Sequence, residues 1–150
     1  MKKFAFTLAL CFTVAMSFVL VGCGEPKTYL EGTFVMTSFE KDVGISSLDF
    51  DNATMNEYTI ELDEEGNTTF IYVKPVSNTS GETTTIDAQK DTIEGSYYFQ
   101  GSKMTVLKDN AAQASIQVSI NDAEDEITVK YVSTGTTYYT AKYTKQSAAE

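Results

Sequence analysis

From residue 31 onward, apolar and polar positions alternate with a period of two, as in strands that bury one face and wet the other. In 57–62, Tyr58, Ile60 and Leu62 fall on one face and Glu57, Thr59 and Glu61 on the other. Ile93, Gly95, Tyr97 and Phe99 align within 92–100, Ile116, Val118 and Ile120 within 114–120, and Ile127, Val129 and Tyr131 within 126–133. The same pattern predicts strands over 32–39, 68–74, 83–88, 103–108 and 136–143. No stretch after residue 31 sustains a period of 3.6, so the expected class is all-β. Turns are expected at Asp63-Glu64-Glu65-Gly66-Asn67, at Gln89-Lys90-Asp91, at Gly101-Ser102 and at Thr134-Gly135, with Pro75 ending its strand and 76–81 forming a loop. The longest connection is 40–56, with one helical turn at Ile45-Ser46-Ser47-Leu48. About eight or nine strands on short turns close readily as an antiparallel up-and-down barrel, with an open sandwich as the alternative. Ile60, Tyr97, Phe99, Ile116, Val118, Ile127 and Val129 should then face the barrel axis, because a one-residue slip would put Glu61, Gln117 and Lys130 in the core.

The first 22 residues obey a different pattern. Lys2 and Lys3 precede an uncharged apolar run over 4–20, the n-region and h-region of an N-terminal export signal. The stretch that follows, Leu20-Val21-Gly22-Cys23, resembles a bacterial lipobox. The resemblance implies cleavage before Cys23, acylation of its sulfur and a membrane anchor of two or three acyl chains, enough for stable attachment. The competing reading is a transmembrane helix over 4–21 that ends near an ordinary cysteine. Under the lipobox reading the chain divides into a cleaved signal (1–22), a lipidated tether (23–30), a barrel domain (31–145) and a frayed tail (146–150). The seven residues from Gly24 to Leu30 reach only about 25 Å, so the domain is expected close to the extracytoplasmic face of a cell membrane, or of an outer membrane where there is one.

Charge and composition narrow the chemistry. The 150 residues hold 11 lysines, no arginine or histidine, and 21 Asp plus Glu, for a net charge of −10. Loss of Lys2 and Lys3 with the signal leaves 9 lysines and a net charge of −12. Nucleic acid is therefore a poor partner. Cys11 leaves with the signal and Cys23 is committed to lipid, so the domain has no disulfide, no thiol nucleophile, no histidine base and no His or Cys zinc site. No cofactor is expected.

A short internal echo leads to a second resemblance. Glu31-Gly32-Thr33-Phe34 and Glu94-Gly95-Ser96-Tyr97 share the order Glu, Gly, hydroxyl, aromatic, each glycine standing where a strand bends or another backbone approaches. With the acidic Gly66 hairpin, these segments make 31–143 resemble the small lipocalin-like domains of bacterial surface lipoproteins. Phe34 and Tyr97 stand where lipocalins carry tryptophan, and this chain has no tryptophan.

The resemblance implies a barrel that holds a small ligand. Tyr58, Phe70, Tyr72, Tyr97, Phe99, Tyr131, Tyr139 and Tyr143 are the candidate cavity lining, offering apolar walls and a few phenolic hydroxyls. A packed core is the alternative for the same residues, since eight strands leave room for side chains or for one small ligand. The connection 40–56 is either a lid over the barrel mouth or a plain surface loop. Asp63-Glu64-Glu65 and Asp122 with Glu124-Asp125-Glu126 lack calcium-loop spacing, and the start at Asp49-Phe50-Asp51 fails at Ala53 and Ile60, so solvated turns account for them. The Asn-x-Ser/Thr matches at Asn52, Asn67 and Asn78 carry no weight behind a bacterial export signal. The expected function is a non-catalytic, lipid-anchored module that binds a small apolar or amphipathic molecule or a surface protein. A filled structural or interaction module and an acid-pair hydrolase are the alternatives.

Overall fold

Residues 25–148 are described by a computed structural model; the expected export signal, the lipobox-like stretch with Cys23, and positions 149 and 150 lie outside them. The strands are β1 (Gly32–Lys41), β2 (Leu48–Asp49), β3 (Thr59–Leu62), β4 (Asn67–Ser80), β5 (Thr83–Gln100), β6 (Lys103–Lys108), β7 (Ala111–Ala112), β8 (Ile116–Ile120), β9 (Glu126–Ser133) and β10 (Thr136–Lys145), with a 3-10 turn over Asn52–Glu57. Eight of them close a barrel in the order β1-β3-β4-β5-β6-β8-β9-β10, antiparallel throughout, and β10 returns to β1. Short β2 and β7 are additions outside that ring. The chain is thus an all-β up-and-down barrel, consistent with a lipocalin-like fold.

Four two-residue turns follow directly from local sequence. Gly81 and Gly101 take positive φ (64° and 58°) at the first central position, as a II′ turn requires. Asp109-Asn110 (52°, 63°) and Thr134-Gly135 (49°, 76°) have positive φ at both positions, the I′ pattern whose twist suits adjoining strands. All seven residues expected on the axis, Ile60, Tyr97, Phe99, Ile116, Val118, Ile127 and Val129, are buried. Bulges at Thr37 in β1 and Tyr138 in β10 shift the register, and beyond the second, Tyr139, Ala141 and Tyr143 alternate inward.

The largest departure from the sequence reading is the β4–β5 hairpin. Pro75 does not end its strand and Gln89-Lys90-Asp91 is no turn: β4 runs 14 residues and β5 18, paired without a break from Asn67↔Ser96 to Ser80↔Thr83. Alternation from the closing Ser80–Thr83 pair puts Pro75 at a position whose missing N–H points away from β5, so the ladder loses nothing there. Pairing of β4 with β3 ends at Phe70, and residues 76–87 form a two-stranded arm, largely exposed, that carries polar residues on both faces. Exposure on both faces makes such a segment read as loop in a one-dimensional pattern.

Smaller corrections concern the ends. Residues 45–48 form one turn closed by the Leu48 N–H on the Ile45 carbonyl (3.3 Å), which leads into β2, pairing parallel with Ile86 and Asp87, and a 3-10 helix not expected from the sequence lies at 52–57. Ile45 and Leu48 are buried, and Phe50 packs on Phe39 (4.2 Å between ring centres) and Tyr58 (5.4 Å), so the 40–56 connection covers one barrel end. At the other end, 25–30 does not hang as a free tether. Thr28 exchanges backbone hydrogen bonds with Phe99 (3.0 and 2.9 Å), along the length of β5 that β4 leaves unpaired. β10 continues to Lys145, and the Gln146 N–H donates to the Thr33 carbonyl, so the tail begins docked.

Candidate functional site

The aromatic residues singled out from the sequence converge, and they fill the barrel. Tyr58, Phe70, Tyr72, Tyr97, Phe99, Tyr139 and Tyr143 are buried, and Tyr131 is half-buried. Tyr131 lies between Tyr139 and Tyr72 with near-parallel rings at 6.1 and 6.3 Å. Phe70 adjoins Tyr143, and Phe99 meets Tyr97 edge-on. Four of the six tyrosine hydroxyls find partners within the chain: Tyr139 donates to the Val73 carbonyl (2.6 Å), Tyr143 to the Ile71 carbonyl (3.1 Å) and Tyr72 to the Asp91 carboxylate (3.0 Å), with Tyr97 the fourth. The Tyr97 hydroxyl accepts from the Leu30 N–H (2.9 Å) and lies within hydrogen-bond reach of the Leu30 and Asp63 carbonyls, one of which takes its proton.

Burial pushes the phenols of Tyr139 and Tyr143 well above their ordinary range, with neighbouring tyrosines adding to the effect. Tyr72 is raised by burial and by its bond to Asp91. Burial would raise Asp91 in turn, but the Tyr72 hydroxyl, the Thr92 amide and Lys74 outweigh it and hold the carboxyl below the usual range. These tyrosines are therefore neutral donors at physiological pH.

Two surface clefts lie elsewhere, and none of the eight aromatics lines either. The larger, about 530 Å³, sits at the seam between β6 and β8. These strands pair only at Lys103↔Ser119 and Met104↔Val118. Above that point the Asp109-Asn110 turn folds β7 back on β6, the Gln113 N–H donates to the Val106 carbonyl (3.0 Å), and the chain crosses obliquely into β8. The seam is therefore bridged by an irregular segment. Its lining combines exposed Ala112, Ala114, Lys103, Gln117 and Lys130 with Met104, Val106, Ile116 and Val118, whose side chains are buried in the core.

The second cleft, about 480 Å³, is a shallow acidic trough beside Glu61, Asp63 and Glu94. Thr68, at its edge, is the buried polar side chain whose Oγ1 has no hydrogen-bond partner among the described residues. No carboxylate is fully buried, and no three acidic side chains stand close enough to hold a metal ion, among the described residues. Neither cleft was legible in the sequence. The lysines of the first are 27 positions apart, and only the β6–β8–β9 register brings them to one wall.

No protein-family model matches the chain, and no curated protein or solved structure matches it significantly.

Proposed function

We propose that this chain is a lipid-anchored, non-catalytic binding module of lipocalin-like form, held through acyl chains on Cys23 at the extracytoplasmic face of a bacterial membrane. In this reading the barrel is a solid scaffold, and its partner, a surface protein or a small amphipathic molecule, engages the outer surface. The observation that carries it is the packed interior, where Tyr139 and Tyr143 are fully buried with their hydroxyls bonded to Val73 and Ile71. A lumen ligand would have to displace those bonds and rings.

Docking of Thr28 on Phe99 supports a close approach to the membrane. Only four residues lie between Cys23 and Thr28, five residue steps with a reach of about 17 Å. Strand β5 runs from Thr83 at the arm's tip to Gln100 beside that docking point, so the Gly81 turn lies at the far end of the longest strand pair, up to about 55 Å from the anchored end. The arm then reaches outward, away from lipid.

The test is detergent phase partitioning of wild type and Cys23→Ser, combined with protease treatment of intact cells. Wild type should enter the detergent phase and be cut in the exposed arm. Cys23→Ser should move to the aqueous phase. A signal-cleaved Cys23→Ser protein that still partitions with membranes would refute the anchor, and an arm shielded in intact cells would refute the display.

A further inference from the structure

We infer that the β6–β8 cleft is a binding site for a small amphiphilic anion, one anionic head on a short hydrocarbon chain. The charge pattern is the first argument. The described residues carry a large excess of carboxylates, yet none of them lines this cleft. Lys74, Lys90 and Lys142 each lie within 3.4 Å of a carboxylate, whereas among the described residues Lys103 and Lys130 have none within 4.0 Å. Both stand on the outer face. Lys103 is level with Ser119 and Thr128 across β6, β8 and β9, and Lys130 is two residues along β9. Adjacent strands lie about 4.8 Å apart and residues rise about 3.4 Å, so the two Cα atoms are about 12 Å apart, within reach of one shared anion for two long flexible side chains.

The second argument is the open seam. Where β6 and β8 part, exposed Ala112 and Ala114 lie over the buried Val106 and Ile116, so a short chain rests along this apolar floor while its head stays among Lys103, Lys130 and the Gln117 amide. A volume of about 530 Å³ suits a small molecule. In a protein of this net charge the same patch selects against cations, since ammonium ligands meet two lysines at close range.

The inference rests on the binding-module reading and is tested apart from it, because Cys23→Ser partitioning reports the anchor whatever this cleft does. The full chain in zwitterionic micelles is titrated with hexanoate, hexyl phosphate, hexanol and hexylammonium, following backbone amides. Either anion should give saturable shifts at Thr105, Gln117 and Lys130, whereas hexanol and hexylammonium should give none of comparable affinity. Lys103→Gln with Lys130→Gln should weaken anion binding about five- to tenfold and leave amides outside the cleft unmoved. Lys108→Gln should bind as wild type. Shifts with neither anion, shifts centred elsewhere, equal binding of hexanol, or undiminished binding by the double variant would each overturn the assignment.

Discussion

The Tyr139 hydroxyl donates to the Val73 carbonyl at 2.6 Å, joining β10 to β4, which are not neighbours in the wall. The alternation set by the β4–β5 turn points the Ile71 and Val73 carbonyls away from β5, and the recorded pairing of β4 with β3 stops at Phe70. Tyr139 and Tyr143 supply donors where the ladder runs out, which fixes both the rings and the wall. Tyr139→Phe should therefore leave a buried carbonyl unpaired and cost about 1–3 kcal/mol, read as a lower denaturant midpoint at unchanged slope.

Phe99 is 3% exposed and packed edge-on to Tyr97, on a length of β5 also gripped by Thr28. Phe99→Ala should cost about 3–5 kcal/mol by chemical denaturation, the cost of a cavity in a filled core. A loss well under that range would show that Phe99 borders open space and that the barrel is hollow.

Gly95 is crowded by backbone. A Cβ there would collide with the Leu107 carbonyl oxygen, where β5 begins to pair with β6. Gly95→Ala should destabilise by about 1–3 kcal/mol and speed hydrogen exchange along the β5–β6 seam. Gly81→Ala meets no atom within 4 Å and pays only for its φ of 64°, so it should leave that seam's exchange unchanged.

Stability should fall at both pH extremes. The phenols of Tyr97, Tyr139 and Tyr143 are raised by burial in the folded chain, so their contribution is fully present below the unfolded value near 10 and is lost as pH rises above it. Asp63 is held low by the Asn67 side chain and amide, and Asp91 by Tyr72, Thr92 and Lys74 against its burial. Their contribution is present above about pH 4 and is lost as pH falls through the lowered folded values. Thermal melts across pH should show a plateau between these limits. Tyrosinate absorbance should rise together with unfolding on the alkaline side, and Asn67→Ala should shift the acid limb upward.

Period-two alternation was enough to read the class, the strand faces and the buried register, because a half-buried sheet admits one residue period and a slip would bury Glu61 or Lys130. Turn chemistry at Gly101-Ser102 and Thr134-Gly135 was likewise local, set by φ values that few residue types adopt. The eight aromatics were also found in one dimension, since their spacing puts them on apolar faces. Whether those faces enclose a space or fill it is a question of volume, which alternation does not encode.

The sequence by itself determined an all-β chain of antiparallel hairpins with a definite inside, since each strand carries its own choice of face, while closure into a barrel rather than a sandwich came from the pairing of β10 with β1. Tertiary structure alone decided the rest, because those features depend on what a neighbouring strand does. Pro75 lies within a strand because β5 needs no donor from it, and residues 25–30 dock because β4 ends short of Phe99. The Tyr139 and Tyr143 hydroxyls turn inward because β3 ends short of Val73. Lys103 and Lys130 share a wall because β6 and β8 meet over two residue pairs and then diverge, a relation between segments far apart in the chain that no local pattern records.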